Sequence, residues 1–288
     1  MKVAILGATG KTGRYVVPAL LDAGCDVLAL GRGRARLAAL DPRCRTAIVD
    51  LDAPDGLAAA LADAAIVVSL AHARFAETIL GALPAACERI VLTGSVRCFT
   101  ALPDPAADAV RQAEAAFRSA GRPGVMIHPS MIFGAPEEKN INRILDLIDA
   151  WPRFLPVILP LPGGGRHRVQ PIYFEDAVAA IVAAVLSVEA PGAPIVVAGP
   201  TPLSYAAMVR ACAAARGRRA HILSVPLALL TMVAALLPVS AAELRRMTED
   251  KSFDVADMTT RLGVTPRSFA DGLAAALAGG GAGGQGGR

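Results

Sequence analysis

The chain has 288 residues, enough for one large domain or for one domain with a smaller lobe. Hydrophobic residues make up 54% and charged residues 19%, which excludes a disordered chain. The formal charge is only +4 and no basic run is interleaved with aromatics, which excludes a dedicated nucleic-acid binder.

Lys2–Leu6 is an apolar run ending in a glycine-rich turn, and reads as a buried parallel strand. A helix is expected over Thr12–Ala23, with Gly24 as its C-terminal glycine and with Pro18 inside it either kinking it or leaving a carbonyl unpaired. Strand Asp26–Leu30, helix Arg34–Leu40, strand Thr46–Val49, helix Pro54–Ala62 and strand Ala65–Leu70 follow. Helix Phe75–Ala86, strand Arg89–Thr93, helix Asp104–Ala120 closed by Gly121, and strand Val125–His128 complete the rhythm. Such alternation predicts an α/β fold, a Rossmann doubly wound parallel sheet.

Beyond Pro129 the rhythm breaks. Pro152, Pro156, Pro160 and Pro162 crowd one stretch before Gly163-Gly164-Gly165, which reads as loop. Helices are expected over Asn140–Asp149, Phe174–Leu186 and Tyr205–Arg216, with a strand at Pro194–Ala198. The division that follows is a dinucleotide-binding core over residues 1–134 and a mixed region over 135–278 that completes the sheet and forms a small C-terminal substrate lobe. A flexible tail over 279–288 ends the chain.

Two further features bear on location. Cys25, Cys44, Cys87, Cys98 and Cys212 are scattered without a C-x-x-C pair, so reduced thiols and a cytoplasmic setting are expected. No signal peptide is expected, because a strand that starts at Lys2 leaves no room for a charged leader and an apolar stretch. The stretch 225–239 is almost wholly apolar, yet its fifteen residues fall short of the ~20 that cross a bilayer. It reads as a buried or interfacial helix, with peripheral membrane or protein docking as the alternative.

Chemistry concentrates in Gly7-Ala8-Thr9-Gly10-Lys11-Thr12-Gly13. This G-x-x-G-x-x-G follows a strand and opens a helix, the context in which such a motif holds the pyrophosphate of a dinucleotide. Gly7 permits the turn, Gly10 lets the backbone approach the phosphates, and Gly13 lets helix pack on strand. The helix start favours anions. An NAD site places an acid at the end of the second strand, but no Asp or Glu lies between Asp26 and Asp41. Arg32 stands there instead and can pair with a 2′-phosphate, with Lys11 as a second cation. NADP(H) is therefore the expected cofactor and NAD(H) the alternative. Asp50 can accept from the adenine amino group with Leu51 on the ring; an exposed turn is the competing reading. Leu70 and Ala71 follow the fourth strand, where a dinucleotide crosses the sheet edge.

The glycine motif, Asp50-Leu51, Ser69-Leu70-Ala71, Thr93-Gly94-Ser95, His128-Pro129-Ser130-Met131-Ile132-Phe133-Gly134 and Gln170-Pro171-Ile172-Tyr173-Phe174-Glu175-Asp176 occur in this order. Together they resemble the extended and atypical short-chain dehydrogenases/reductases, including epimerase/dehydratase-like and NmrA-like members. The resemblance implies that Pro129 and Ser130 border the nicotinamide and that Tyr173 shapes a neighbouring lobe. Active members use a Tyr-x-x-x-Lys pair on the helix after the fifth strand. Here Tyr15, Tyr173 and Tyr205 are followed four residues on by Ala19, Ala177 and Val209, and the expected positions hold Ala106 and Val110. Ser95 matches the region of the family's third polar residue, and Ser95 and Tyr173 are the catalytic candidates that remain. His72 and His128 are weaker ones, and no metal-ligand spacing stands out. Trp151, Phe154, Leu155, Ile158 and Leu159 suit a partly hydrophobic small-molecule substrate. Three functions stay open: an NADP(H)-dependent oxidoreductase or epimerase-like enzyme, a non-catalytic NmrA-like sensor or accessory subunit, and a partner protein docking through 225–239.

Overall fold

The computed structural model describes residues 1–187, 193–232 and 239–282. Its strands are β1 (Lys2–Leu6), β2 (Asp26–Gly31), β3 (Arg45–Ile48), β4 (Ile66–Ser69), β5 (Arg89–Thr93), β6 (Gly124–Pro129), β7 (Ile132–Phe133), β8 (Val157–Pro162), β9 (Arg168–Val169), β10 (Ile172–Tyr173), β11 (Ile195–Val197), β12 (Leu203–Ser204) and β13 (Ala220–Val225). The helices are α1 (Gly13–Asp22), α2 (Arg34–Ala38), α3 (Leu57–Leu61), α4 (Ala76–Gly81), α5 (Pro105–Ala120), α6 (Asn140–Ala150), α7 (Phe174–Leu186), α8 (Tyr205–Ala215), α9 (Leu227–Met232), α10 (Ala241–Arg246), α11 (Ala256–Leu262) and α12 (Phe269–Ala282).

Two units make up the chain. One holds residues 1–130, 175–197 and 255–265; the other holds 131–174, 198–254 and 266–288. In the first, seven parallel strands pair in the order β11-β6-β5-β4-β1-β2-β3. The order reverses beside β1, so the sheet is a doubly wound Rossmann sheet with its switch point between β1 and β4. The central strands are buried on both faces, which is why Val3–Leu6 and Ile66–Val68 read as unbroken apolar runs. Helix α5 begins at an Asp104 cap whose Oδ1 accepts from Ala106 N at 3.0 Å, with Pro105 in the first turn. It buries Ala107, Val110, Ala113 and Phe117 and ends at left-handed Gly121.

Some boundaries differ from expectation for local reasons. Helix α3 starts only at Leu57 because Gly56 is left-handed (φ 82°). Helix α4 ends at Gly81, short of Pro84, since a residue before proline leaves the helical region. Helix α1 runs unbroken past Pro18. Helix α12 continues to Ala282, so 279–282 are helical and only 283–288 of the expected tail lie outside the described residues.

Among its described residues the second unit contains three two-stranded sheets, β10-β7, β12-β9 and β13-β8, around Phe133, Ile141, Leu145, Tyr205, Met208 and Phe269. Strand β8 overturns the expectation of loop over the proline-rich stretch. It pairs in parallel with β13, Leu223 opposite Pro160 and Val225 opposite Pro162. Val157 N donates to Arg219 O at 3.2 Å, so odd-numbered N–H groups of β8 face β13. Pro160 and Pro162 are even-numbered, and their missing donors fall on the open edge. Of the apolar stretch 225–239, Val225 ends β13 and α9 spans Leu227–Met232; residues 233–238 lie outside the described residues. Among the described residues no helix is long and apolar enough to cross a membrane.

Candidate functional site

The glycine loop sits at the C-terminal end of β1, at the switch point. Gly7 is left-handed (φ 80°), and a Cβ there would lie 2.9 Å from Ala71 N and from Leu70 C. Gly7 thus meets Leu70 and Ala71 backbone to backbone, while Leu70 N donates to Leu6 O at 2.9 Å. Gly10 N donates to Gly7 O at 2.9 Å, closing the turn. At Gly13 a Cβ would stand 2.4 Å from Gly7 O and 2.5 Å from Ala8 O, so only glycine lets α1 start this close to the loop. Thr12 caps α1, its carbonyl accepting from Val16 N at 3.1 Å. This cradle, open where side chains would fill it, fits a pyrophosphate against backbone N–H groups and the helix N-terminus.

Strand β2 ends beside the loop, a Cβ on Gly31 lying 3.4 Å from Thr9 Oγ1. Arg32 follows, exposed, with its Nη1 3.4 Å from Asp52 Oδ2. Asp52 also takes Arg74 Nη2 at 2.6 Å on its other oxygen. Asp52 and Arg74 were not singled out from the sequence. No spacing in the sequence marks their meeting; the fold brings it about, because Arg74 leaves β4 at the same sheet edge where Arg32 leaves β2. Asp50 Oδ1 accepts from Asp52 N at 3.1 Å, and Leu51 packs against the core. Lys11 is exposed on the loop.

Farther along the same sheet edge, Pro129 ends β6 and Ser130 N donates to Val197 O at 2.9 Å. Ser95 lies just beyond β5. Its Oγ accepts from Arg97 N at 3.3 Å, and its N–H donates to His128 Nδ1 at 3.2 Å. His128 is fully buried, with Nε2 3.4 Å from Glu114 Oε2. Burial pushes its pKa below the usual histidine value, against the pull of Glu114. The nearby Cys98 thiol is pushed up to about 11, chiefly by burial and then by Glu114.

Cys98, Glu114 and His128 bring ligand atoms within 4.8 Å of one another. The ring tautomer opposes use as a metal site. Nδ1 accepts from Ser95 N, so the neutral ring carries its proton on Nε2, the atom that faces the cluster. A metal-bound imidazole needs its free N–H on the other nitrogen, aimed at an acceptor. His128 instead supports Ser95 from behind, and Gly94 makes the room: a Cβ there would strike His128 Nδ1 at 2.5 Å. His72 caps a short turn through Nδ1, which accepts from Arg74 N at 3.2 Å.

Tyr173 belongs to the other unit. It is 4% exposed, packed edge-on against Phe133 and Phe174, with the Arg267 guanidinium 4.8 Å above its ring. A Cβ on Gly134 or Gly272 would strike its side chain.

Residues 7–141 match the model of an NAD(P)H-binding family. Among curated proteins none matches the chain. Solved structures match over nearly its whole length. The NADPH-dependent quinone oxidoreductase QOR2 of Escherichia coli, solved with NADPH, is 16% identical, with a TM-score of 0.77 over 96% of this chain and 99% of that one. The dTDP-glucose 4,6-dehydratase DesIV of Streptomyces venezuelae, solved with NAD and TYD, is 19% identical, with a TM-score of 0.74 over 96% of each chain. A UDP-glucuronic acid 4-epimerase of Bacillus cereus, solved with NAD, is 16% identical, with a TM-score of 0.73 over 96% and 97%. Residues 7–141 thus carry an NAD(P)H-binding domain, and the chain as a whole shares the fold of these solved structures.

Proposed function

We propose that this protein is an NADP(H)-dependent oxidoreductase acting on an electron-poor carbonyl, of which a quinone is the type. The observation that carries the reading lies on α5, where the expected Tyr and Lys positions hold Ala106 and Val110, the latter buried in the core. Reducing a ketone leaves a strongly basic alkoxide, which needs a proton donor held at its oxygen. Reducing a quinone leaves a phenolate whose conjugate acid has a pKa of about 10, like tyrosine, so water protonates it without a positioned acid. The bound dinucleotide supplies the hydride; the protein orients and shields. The glycine loop holds the pyrophosphate, and Arg32 meets the 2′-phosphate. Ser95 Oγ already accepts from Arg97 N, which leaves its hydrogen to donate to a substrate oxygen. The likeness to the quinone oxidoreductase supports the same substrate class.

The same buried Val110 favours a second reading, a sensor that binds the dinucleotide without turnover. NADPH consumption by the purified protein decides, measured over benzoquinones, naphthoquinones, aldehydes, ketones and nucleotide sugars. Turnover confined to quinones is expected. Tight NADPH binding with no turnover across the panel refutes the oxidoreductase and favours the sensor. Turnover of ketones or nucleotide sugars refutes the quinone class.

A further inference from the structure

Two guanidinium groups repel one another, and an anion between them relieves that repulsion. Arg32 and Arg74 come from different crossovers, after β2 and after β4, and hold the two oxygens of one carboxylate. Arg32 Nη1 is 3.4 Å from Asp52 Oδ2, and Arg74 Nη2 is 2.6 Å from Asp52 Oδ1. The Arg74 guanidinium also lies 4.4 Å over the Phe75 ring, which fixes its plane. Asp52 is held at its backbone, where its N–H donates to Asp50 Oδ1. The three side chains are 62%, 57% and 47% exposed, so an anion from solution can reach them. Gly31, the residue before Arg32, stands beside Thr9 of the glycine loop, which places the cluster at the phosphate-binding edge of the sheet.

We propose that Arg32 and Arg74 form a two-armed clamp for a phosphomonoester on the adenosine end of the dinucleotide. Asp52 is the internal anion that keeps the clamp assembled and competes with that phosphate for it. The proposal rests on the NADP(H) reading above. A phosphomonoester carries about −1.5 to −2 charges and three acceptor oxygens, against one charge and two oxygens on Asp52, so it displaces the carboxylate. A bare 2′-hydroxyl cannot, and Asp52 then stays on the arginines. Asp52 therefore lowers affinity for the phosphorylated cofactor, while Arg74 raises it without touching the rest of the dinucleotide.

Calorimetric titration of the full-length protein with 2′,5′-ADP and 5′-AMP isolates the one phosphate. The native protein should bind 2′,5′-ADP roughly tenfold or more tightly than 5′-AMP, a ratio that shrinks as salt is raised. Arg74→Ala should remove most of that ratio with 5′-AMP affinity unchanged, and Arg74→Lys should restore part of it. Asp52→Asn should tighten 2′,5′-ADP severalfold. Thermal melting checks that each variant is folded, as these exposed positions require. Equal affinity of the native protein for both nucleotides, an unchanged ratio in Arg74→Ala, or weaker 2′,5′-ADP binding in Asp52→Asn overturns the clamp. If equal affinity is found while NADPH and NADH still bind, the clamp fails and the dinucleotide site stands. If no nucleotide binds at all, both fail. An intact ratio without quinone turnover refutes the oxidoreductase and supports the clamp.

Discussion

Gly13→Ala should cost both stability and cofactor affinity. The added methyl would stand 2.4 Å from Gly7 O, 2.5 Å from Ala8 O and 2.7 Å from Ala8 C, all of them backbone atoms of the loop itself. A carbon beside a carbonyl oxygen needs about 3.3 Å, so α1 or the turn must retreat by about 0.9 Å. No side chain can rotate away to relieve this. Overpacking of this kind costs about 1–3 kcal/mol, and each kcal/mol lowers the melting temperature by roughly 2–4 °C in a chain of this size. The retreat also moves the helix N-terminus off the pyrophosphate. Losing one charge-assisted hydrogen bond there weakens NADPH by roughly tenfold or more. Gly31→Ala is the control, because its methyl would meet only the side chains of Thr9, at 3.4 Å, and Leu37, at 3.5 Å, with no backbone in the way. Urea unfolding and titration of NADPH fluorescence measure the two effects. If Gly13→Ala matches Gly31→Ala in both, the close approach of α1 to the loop is not what the first strand and helix depend on.

Two further outcomes are expected. Arg218 donates through Nη1 to Ile148 O and Trp151 O and through Nη2 to Pro152 O and Leu155 O, at 2.7–2.9 Å, so Arg218→Ala strands four carbonyls and should destabilise by about 2–4 kcal/mol in urea unfolding; a loss under about 0.5 kcal/mol would sink this. His128 is held neutral chiefly by burial, so the stability it supports is complete above the unfolded histidine value of about 6.5 and is lost as pH falls toward its lowered folded value. Unfolding free energies at pH 7.5 and 5.5, set by the experimenter at about a unit either side of that value, should differ less in His128→Gln than in the native protein, and equal differences would refute the assignment.

How much of this was legible depended on whether the information was local. Strand β1, its glycine turn and α1 declare themselves within a short span, because a buried parallel strand is an unbroken apolar run and the turn needs particular glycines. Helix α5 was legible for the same reason: its cap at Asp104, its buried face and its stop at Gly121 are all near neighbours. Strand β8 was not. A crowd of prolines reads as loop unless one knows which N–H groups the partner strand uses, and that partner, β13, lies far along the chain. Only pairing reveals that Pro160 and Pro162 share one parity and leave every inward donor in place.

The site divides in the same way, and the division bears on cofactor choice. Arg32 could be found by counting from the glycines to the end of the second strand, because the fold fixes that distance. Arg74 and Asp52 could not, since what matters is that three loop ends arrive at one edge, and no spacing in the sequence encodes their meeting. The consequence is physical. A single exposed arginine facing solvent gives a weak, strongly screened preference for phosphate. Two guanidiniums that share one phosphate hold it more strongly than one does, even though Asp52 must first be displaced from both. On the clamp proposed above, preference for the phosphorylated cofactor is set by both arginines working against Asp52, not by the residue at the end of β2 alone. Charge-reversing Arg32 alone should leave a residual 2′-phosphate preference through Arg74, and its complete loss would mean that Arg74 serves only to hold Asp52.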